Sequence, residues 1–281
     1  MASVTGLLLV LFGACAIETG ASIGKYEVKR GCESVYMMGF LDSIWSTLLY
    51  LFLLWSGSEV WRFSSDSLPT FTIRAVLDVL QAHITVLAIS KADRSTFGFI
   101  RIGTIPLLLI VDIALGYAFT GMQLIGMGVI VFSLLLLLMR RTMRMNGIGF
   151  VLISTVNAVA TLSLYKYDIA HWNSVAAEQI PVLVLLLLYF LIMARVRCGE
   201  RVLAQMWQPM LLLQSLAVGV GTVTVSYGYL LLPASLATTV VRSGSLLWSI
   251  VSGNLLFRER SFWLKILAAV LCIGGLALLA R

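Results

Sequence analysis

The chemistry open to this chain lies in a few charged side chains set inside long apolar runs. Arg74 and Asp78 share one run with Gln81 and Thr85 at i, i+4, i+7 and i+11, a spacing that aligns all four on one helical face. Arg101, Thr104 and Asp112 share one side of the following run, and Arg242, Ser245, Ser249 and Ser252 do the same near the C-terminus. Glu18, Ser22 and Lys25 form a stripe near the N-terminus; Ser154, Asn157 and Thr161 form another, and Ser215, Thr222 and Ser226 a third. A charge at bilayer depth costs at least about 2.5–3.5 kcal/mol on insertion scales, so each must face protein or a water-filled cavity. Guanidinium groups in such a cavity suit a carboxylate or phosphate, to which each donates a bidentate pair of hydrogen bonds. A buried acid such as Glu18 has its neutral form favoured by desolvation, which lets it exchange a proton or cation as the cavity opens and closes. Asp42 and Glu178 are further acids of the same kind.

The elements that must position these groups are transmembrane helices. Of 281 residues 60% are hydrophobic and 12% charged, which excludes a disordered or ordinary soluble chain. Ten apolar runs are expected to span, at residues 3–24, 34–56, 69–90, 97–117, 121–139, 147–165, 173–194, 206–230, 234–257 and 262–280. The runs are continuous, without the alternation of membrane strands, so they read as helices. Short links leave no room for an extramembrane domain, and the first run is too long for a signal peptide, so it reads as the first span. Spans one, three, four, six, eight and nine carry the stripes and should line a central cavity. Spans five and ten carry glycines instead (Gly121, Gly126, Gly128; Gly274, Gly275) and should pack closely behind it.

At an offset of 141 the chain matches itself: Lys25-Tyr26-Glu27 on Lys166-Tyr167-Asp168, Arg101 on Arg242, Gly103 on Gly244 and Arg140 on Arg281. This divides it into two five-helix repeats, 1–141 and 142–281. An odd number of spans inverts the second copy, the architecture of alternating access. Arg101 and Arg242 take equivalent places, on opposite sides of the midplane.

The stretch from Arg242-Ser243-Gly244-Ser245 through Phe257-Arg258-Glu259-Arg260 to Cys272-Ile273-Gly274-Gly275 resembles the last two helices of the EamA-like branch of the drug/metabolite transporter superfamily. Arg-Glu-Arg stands where that family usually has Gly-Glu-Arg. The stretch also resembles the final helix of the small multidrug resistance proteins, whose first-helix Ala-Glu is similar to Ile17-Glu18. In the first copy, Leu115-Gly116-Tyr117-Ala118 matches by position only. The resemblance implies a ten-helix transporter fold and, for Glu18, the coupling and substrate-binding carboxylate; Val159 holds its place in the second repeat, so that role is asymmetric.

Orientation follows from Lys and Arg. Thirteen lie in the links after spans one, three, five, seven and nine, against Arg62, Lys166 and Arg281 on the opposite side. The positive-inside rule then sets both termini outside the cytoplasm, whereas ten-span members of the superfamily usually have both inside. The membrane expected is a bacterial-type inner membrane.

Structural readings compete at each position. Arg101 can pair with Asp78 or Asp112, Glu18 with Lys25 or Arg74, and Lys25 and Lys166 read as snorkelling to the interface. His83 reads as a hydrogen bond between helices, while Pro106 and Pro181 interrupt their spans and shape the cavity or its gates. Four isolated cysteines give neither disulfide frame nor metal spacing, and His83 and His171 alone cannot build a metal cluster, so no cofactor, metal or enzyme activity is expected. The net charge of +7 is scattered over helix ends and does not point to nucleic acid. The expected partners are a small-molecule substrate and the lipid bilayer, with the chain a monomer or homodimer. The substrate-binding residues expected are Arg101, Arg242, Glu18, Arg74, Asp78, Asn157, Ser245 and Ser249. The function expected is secondary transport of an anionic or zwitterionic metabolite. The alternatives are a lipid or lipid-linked sugar flippase and a cationic drug exporter on the same fold.

Overall fold

A computed structural model describes residues 4–91, 100–138, 148–257 and 262–279; within these, the side chains of 25, 29, 86–91, 137, 138, 148, 246, 249–257 and 262–266 are not described. The architecture is all-helical, with no strand among the described residues. In order the helices are α1 (Val4–Arg30), α2 (Val35–Trp55), α3 (Leu68–Lys91), α4 (Thr104–Ala114), α5 (Gly121–Leu138), α6 (Ile148–His171), α7 (Val175–Cys198), α8 (Pro209–Leu231), α9 (Ala234–Phe257) and α10 (Phe262–Leu279). Among the described residues five stretches are long and apolar enough to cross a membrane: Val4–Val28, Val35–Trp55, Gly149–His171, Val175–Cys198 and Pro209–Leu231. They are consistent with a multi-pass membrane protein.

Local chemistry sets the helix ends. Ser34 caps α2, its hydroxyl accepting from the Met37 N–H, and Ser174 caps α7 through the Ala177 N–H. Gly199 closes α7 in the left-handed region at φ 67°, which glycine adopts without steric cost. Gly103 interrupts the helix before α4: its N–H donates to the Ile100 carbonyl at 3.0 Å, and the Thr104 hydroxyl donates to the Arg101 carbonyl at 2.7 Å. Pro106 therefore falls in the first turn of α4, where a proline breaks nothing, and is not the interruption its sequence setting suggests. α7 continues helically through Pro181.

Packing depends on small residues. α1 runs antiparallel to α8 with Gly13 against Gly221; a Cβ on either would come within 2.8 Å of the other's carbonyl. α5 and α10 cross the same way at Gly126 and Gly275, where a Cβ on Gly126 would lie 2.8 Å from the Gly275 carbonyl. Of the glycines expected to pack here, Gly121, Gly128 and Gly274 face open space. α3 lies on α6, α2 on α7 and α8, α1 on α9, and α4 on α6 and α9.

Two side-chain contacts mark the ends of the bundle. Glu200 accepts from the N–H and hydroxyl of Ser34 at 2.7 and 2.6 Å, joining the α1–α2 and α7–α8 connections. At the other end, residues 56–67 form a strap over the α6–α7 turn, with Ser174 N–H donating to the Arg62 carbonyl at 2.8 Å and Ser64 N–H to Asn173 Oδ1 at 2.9 Å.

Candidate functional site

Helices α1, α3, α6, α7 and α8 enclose a cavity of about 240 Å³, walled by Arg74, Asp78, Thr161, Tyr165, Gln179, Thr222, Ser226 and Tyr229 with apolar neighbours that include Ile17 and Leu183. Arg74 is its focus. The i,i+4 spacing read from the sequence brings Asp78 to 3.2 Å from Arg74 Nε. Nη1 donates to Glu178 at 2.8 Å and Nη2 to Gln179 Oε1 at 3.0 Å, while the guanidinium carbon stands 4.5 Å from the centre of the Tyr165 ring. Arg74 is 4% exposed and Glu178 not at all. With two carboxylates and a ring face around it, the guanidinium is held in one orientation at the cavity wall.

The remaining polar wall is fixed by its own bonds. Tyr165 OH donates to the Ser226 carbonyl at 3.2 Å, Gln179 Nε2 to Ser226 Oγ at 3.1 Å, and Tyr229 OH meets Thr238 at 2.9 Å. Behind Glu178, Asn173 Nδ2 donates to its second oxygen at 2.7 Å, and Asn173 Oδ1 holds the strap. The arginine is thus linked through Glu178 and Asn173 to the segment that closes this end of the bundle.

The stripes divide. Arg74, Asp78, Thr161, Thr222 and Ser226 line the cavity. Asn157 does not: it donates to the Leu77 carbonyl at 2.8 Å and to Gln81 at 2.9 Å, while Gln81 donates to Ser154 at 2.7 Å, zipping α3 to α6. Ser215 likewise donates to the Leu41 carbonyl. His83 Nδ1 hydrogen-bonds the hydroxyl of Tyr189, joining α3 to α7.

Arg101 and Arg242 stand within electrostatic reach of each other and of Tyr229, a cavity residue, and Arg242 is also within reach of Glu18. They adjoin the cavity wall without belonging to it. Asp112, a sequence partner for Arg101, accepts from the Ser235 N–H at 2.7 Å and so caps α9. Ser245 is half-buried, and the Ser249 side chain lies outside the described residues. Lys166 does not snorkel: it is 4% exposed and donates to the Tyr229 and Leu230 carbonyls at 2.6 and 3.3 Å. α8 ends there ahead of Pro233, which has no N–H to offer the Tyr229 carbonyl four residues back, and the ammonium satisfies it instead. Among the described residues no group of three or more His, Cys, Asp or Glu side chains is placed to hold a metal.

No family model matches this chain, and no curated protein matches it by sequence. A solved structure described only as the crystal structure of a protein superposes with a TM-score of 0.73 at 12% identity, over 97% of this chain and 95% of its own. That likeness establishes a shared fold over essentially the whole chain.

Proposed function

We propose that the chain is a secondary transporter of the drug/metabolite transporter type, moving a small anionic or zwitterionic metabolite across a membrane by alternating access. The observation that carries this reading is that a cation, Arg74, and an anion, Asp78, face one cavity inside an apolar bundle. Its volume is that of about eight waters at ~30 Å³ each, the scale of an amino acid or small organic acid. A zwitterion fits with its carboxylate toward Arg74 and its ammonium toward Asp78 and the Tyr165 ring. Arg101 and Arg242, next to the wall, add positive potential that favours a net anionic solute.

Helix packing supports two inverted repeats, 1–141 and 142–281, within ten spans. Exchanging each helix with the one five places on maps α1–α8 onto α6–α3, α2–α8 onto α7–α3 and α1–α9 onto α6–α4, and leaves α2–α7, α4–α9 and α5–α10 unchanged. All of these pairs are in contact. A pseudo-twofold axis in the membrane plane generates such exchange, and rocking one repeat against the other exposes a central site to each side in turn. The membrane in this reading is a bacterial-type inner membrane, with both termini outside the cytoplasm as the loop charges favour.

The test is uptake into vesicles containing the purified chain, with labelled neutral amino acids, dicarboxylates, sugar phosphates and organic cations as solutes. Saturable uptake of a carboxylate- or phosphate-bearing solute is expected, reduced at least about tenfold by Arg74→Gln, with stabilisation by that solute lost in the Arg101→Gln/Arg242→Gln double variant. Uptake of organic cations alone would overturn the reading in favour of a cationic drug exporter.

A further inference from the structure

At the end of the bundle opposite the strap, α1, α2 and α8 close around three polar side chains that the cavity does not use. Glu33, in the turn after α1, is 4% exposed; Asp42 lies two turns into α2; Gln214, in the second turn of α8, is fully buried. The Gln214 amide is directed at both carboxylates. Yet neither of its polar atoms, nor either oxygen of Glu33, nor Asp42 Oδ1 closes a hydrogen bond. The surroundings are fitted to this group: a Cβ on Gly24 would come within 2.7 Å of Gln214 Nε2, and Ser215 anchors α8 to the Leu41 carbonyl beside Asp42.

Buried polar atoms in native proteins are nearly always satisfied, so five without partners at one place mark a missing ligand. Ionised carboxylates only accept, so the Gln214 oxygen finds no donor between them; a Glu33 O–H supplies one, and the Gln214 N–H groups then donate to the carboxyl oxygens that remain. We propose that Glu33, Asp42 and Gln214 form a proton-binding site, in which Glu33 carries the proton, Gln214 bridges the two carboxyl groups and Asp42 supplies the facing charge.

Burial, with the negative charges of Asp42, Glu27 and Glu200 around it, pushes the Glu33 carboxyl up to about 8. The other groups facing it are Arg30 of α1, 3.7 Å from Glu27, and Cys32 in the turn. Glu200 is taken up by Ser34, and the side chains of Lys25 and Lys29 lie outside the described residues. Gln214 stands about 12 Å along α8 from Thr222 on the cavity wall, so proton site and solute cavity share one helix. Use of this proton to drive transport rests on the transporter reading; the binding of the proton does not.

Infrared difference spectra of the full chain in detergent, between about pH 6 and about pH 9 and with no solute, test the site. The carbonyl band of a protonated carboxyl should disappear with a midpoint near 8. Glu33→Gln should abolish the band, Asp42→Asn should lower its midpoint by removing the facing charge, and Glu27→Gln should keep the band and lower its midpoint less than Asp42→Asn does, Glu27 being the weaker of the two charges. If Glu33→Gln does not fold, the Asp42→Asn shift decides alone. A wild type without the band, a band that survives Glu33→Gln, a midpoint that Asp42→Asn leaves unmoved, or one that follows sodium concentration in place of pH would each overturn the proposal. A confirmed site in vesicles that take up solute without moving protons would leave proton binding standing and remove only its driving role.

Discussion

Arg74 of α3 and Glu178 of α7 lie 104 residues apart in the chain and 2.8 Å apart in space, sealed from solvent and joined to a third charge, Asp78. The arrangement is unequal, because Arg74 has two carboxylate partners and each carboxylate has one guanidinium. Removing the cation leaves two buried carboxylates facing each other; removing Glu178 leaves Arg74 paired with Asp78. Breaking a buried pair costs about 3–5 kcal/mol when an uncompensated charge remains. Arg74→Met is therefore expected to cost about that much, and Glu178→Gln about 1–2 kcal/mol, since Gln still accepts a hydrogen bond from Arg74. Denaturation of the two variants in detergent measures the difference. Equal losses would mean that Asp78 does not hold the guanidinium.

Asn173 couples this pair to the strap, donating to Glu178 at 2.7 Å while accepting from the Ser64 N–H at 2.9 Å. Asn173→Ala removes these bonds, together with those that Asn173 makes to the Ser67 hydroxyl, and leaves the helices intact. Loss of the acceptor should speed amide exchange at Ser64 by about tenfold, the equivalent of about 1.4 kcal/mol. Exchange in the middle of α7 should not change. An unchanged Ser64 would show that the remaining strap bonds, Ser174 N–H to the Arg62 carbonyl among them, hold this end closed without Asn173.

The sequence marks helical faces well and helix rotation poorly, and the site shows the difference. Arg74 and Asp78 are found together because i,i+4 contacts are local. Gln81 and Thr85 continue the same stripe, but α3 crosses α6 so closely there that they meet Ser154 and Asn157 and never reach the cavity. Glu178, fully buried, has no local signal: its partner is set by how α7 leans on α3. Lys166 reads as a snorkelling residue from its place near a helix end, and only the neighbouring α8 terminus reveals the carbonyls it satisfies. The glycines of α5 and α10 were legible as a packing face, but which of them touch depends on register.

That register gives a discriminating pair of substitutions. Gly126 meets the Gly275 backbone, while Gly128, two residues further along the helix, meets nothing within 4 Å. Backbone cannot move aside as a flexible side chain can, so Gly126→Val should force α5 and α10 apart and cost about 1–3 kcal/mol. Gly128→Val should be close to neutral. Thermal unfolding of both variants in detergent checks this, and similar midpoints would remove the helix contact as a source of stability.

The pH dependence of stability should carry the signature of Glu33. Its carboxyl is raised from the ordinary value of about 4.5 to about 8, burial being the largest cause. The folded chain thus holds a proton that the unfolded chain releases at lower pH. The linkage sign follows: stability is fully present below about pH 4.5, declines as pH rises, and its loss is complete once pH has passed about 8. An ordinary surface carboxylate paired with a lysine or arginine gives the opposite slope. Unfolding temperatures measured across this window should therefore fall for the wild type as pH rises, and Glu33→Gln, neutral at every pH, should flatten the profile and exceed the wild type at its alkaline end. A wild-type profile that rises with pH, or one that Glu33→Gln leaves unaltered, would mean that the Glu33 carboxylate finds compensation in the folded chain, and the Glu33 proton would no longer be needed to account for the unsatisfied atoms around Gln214.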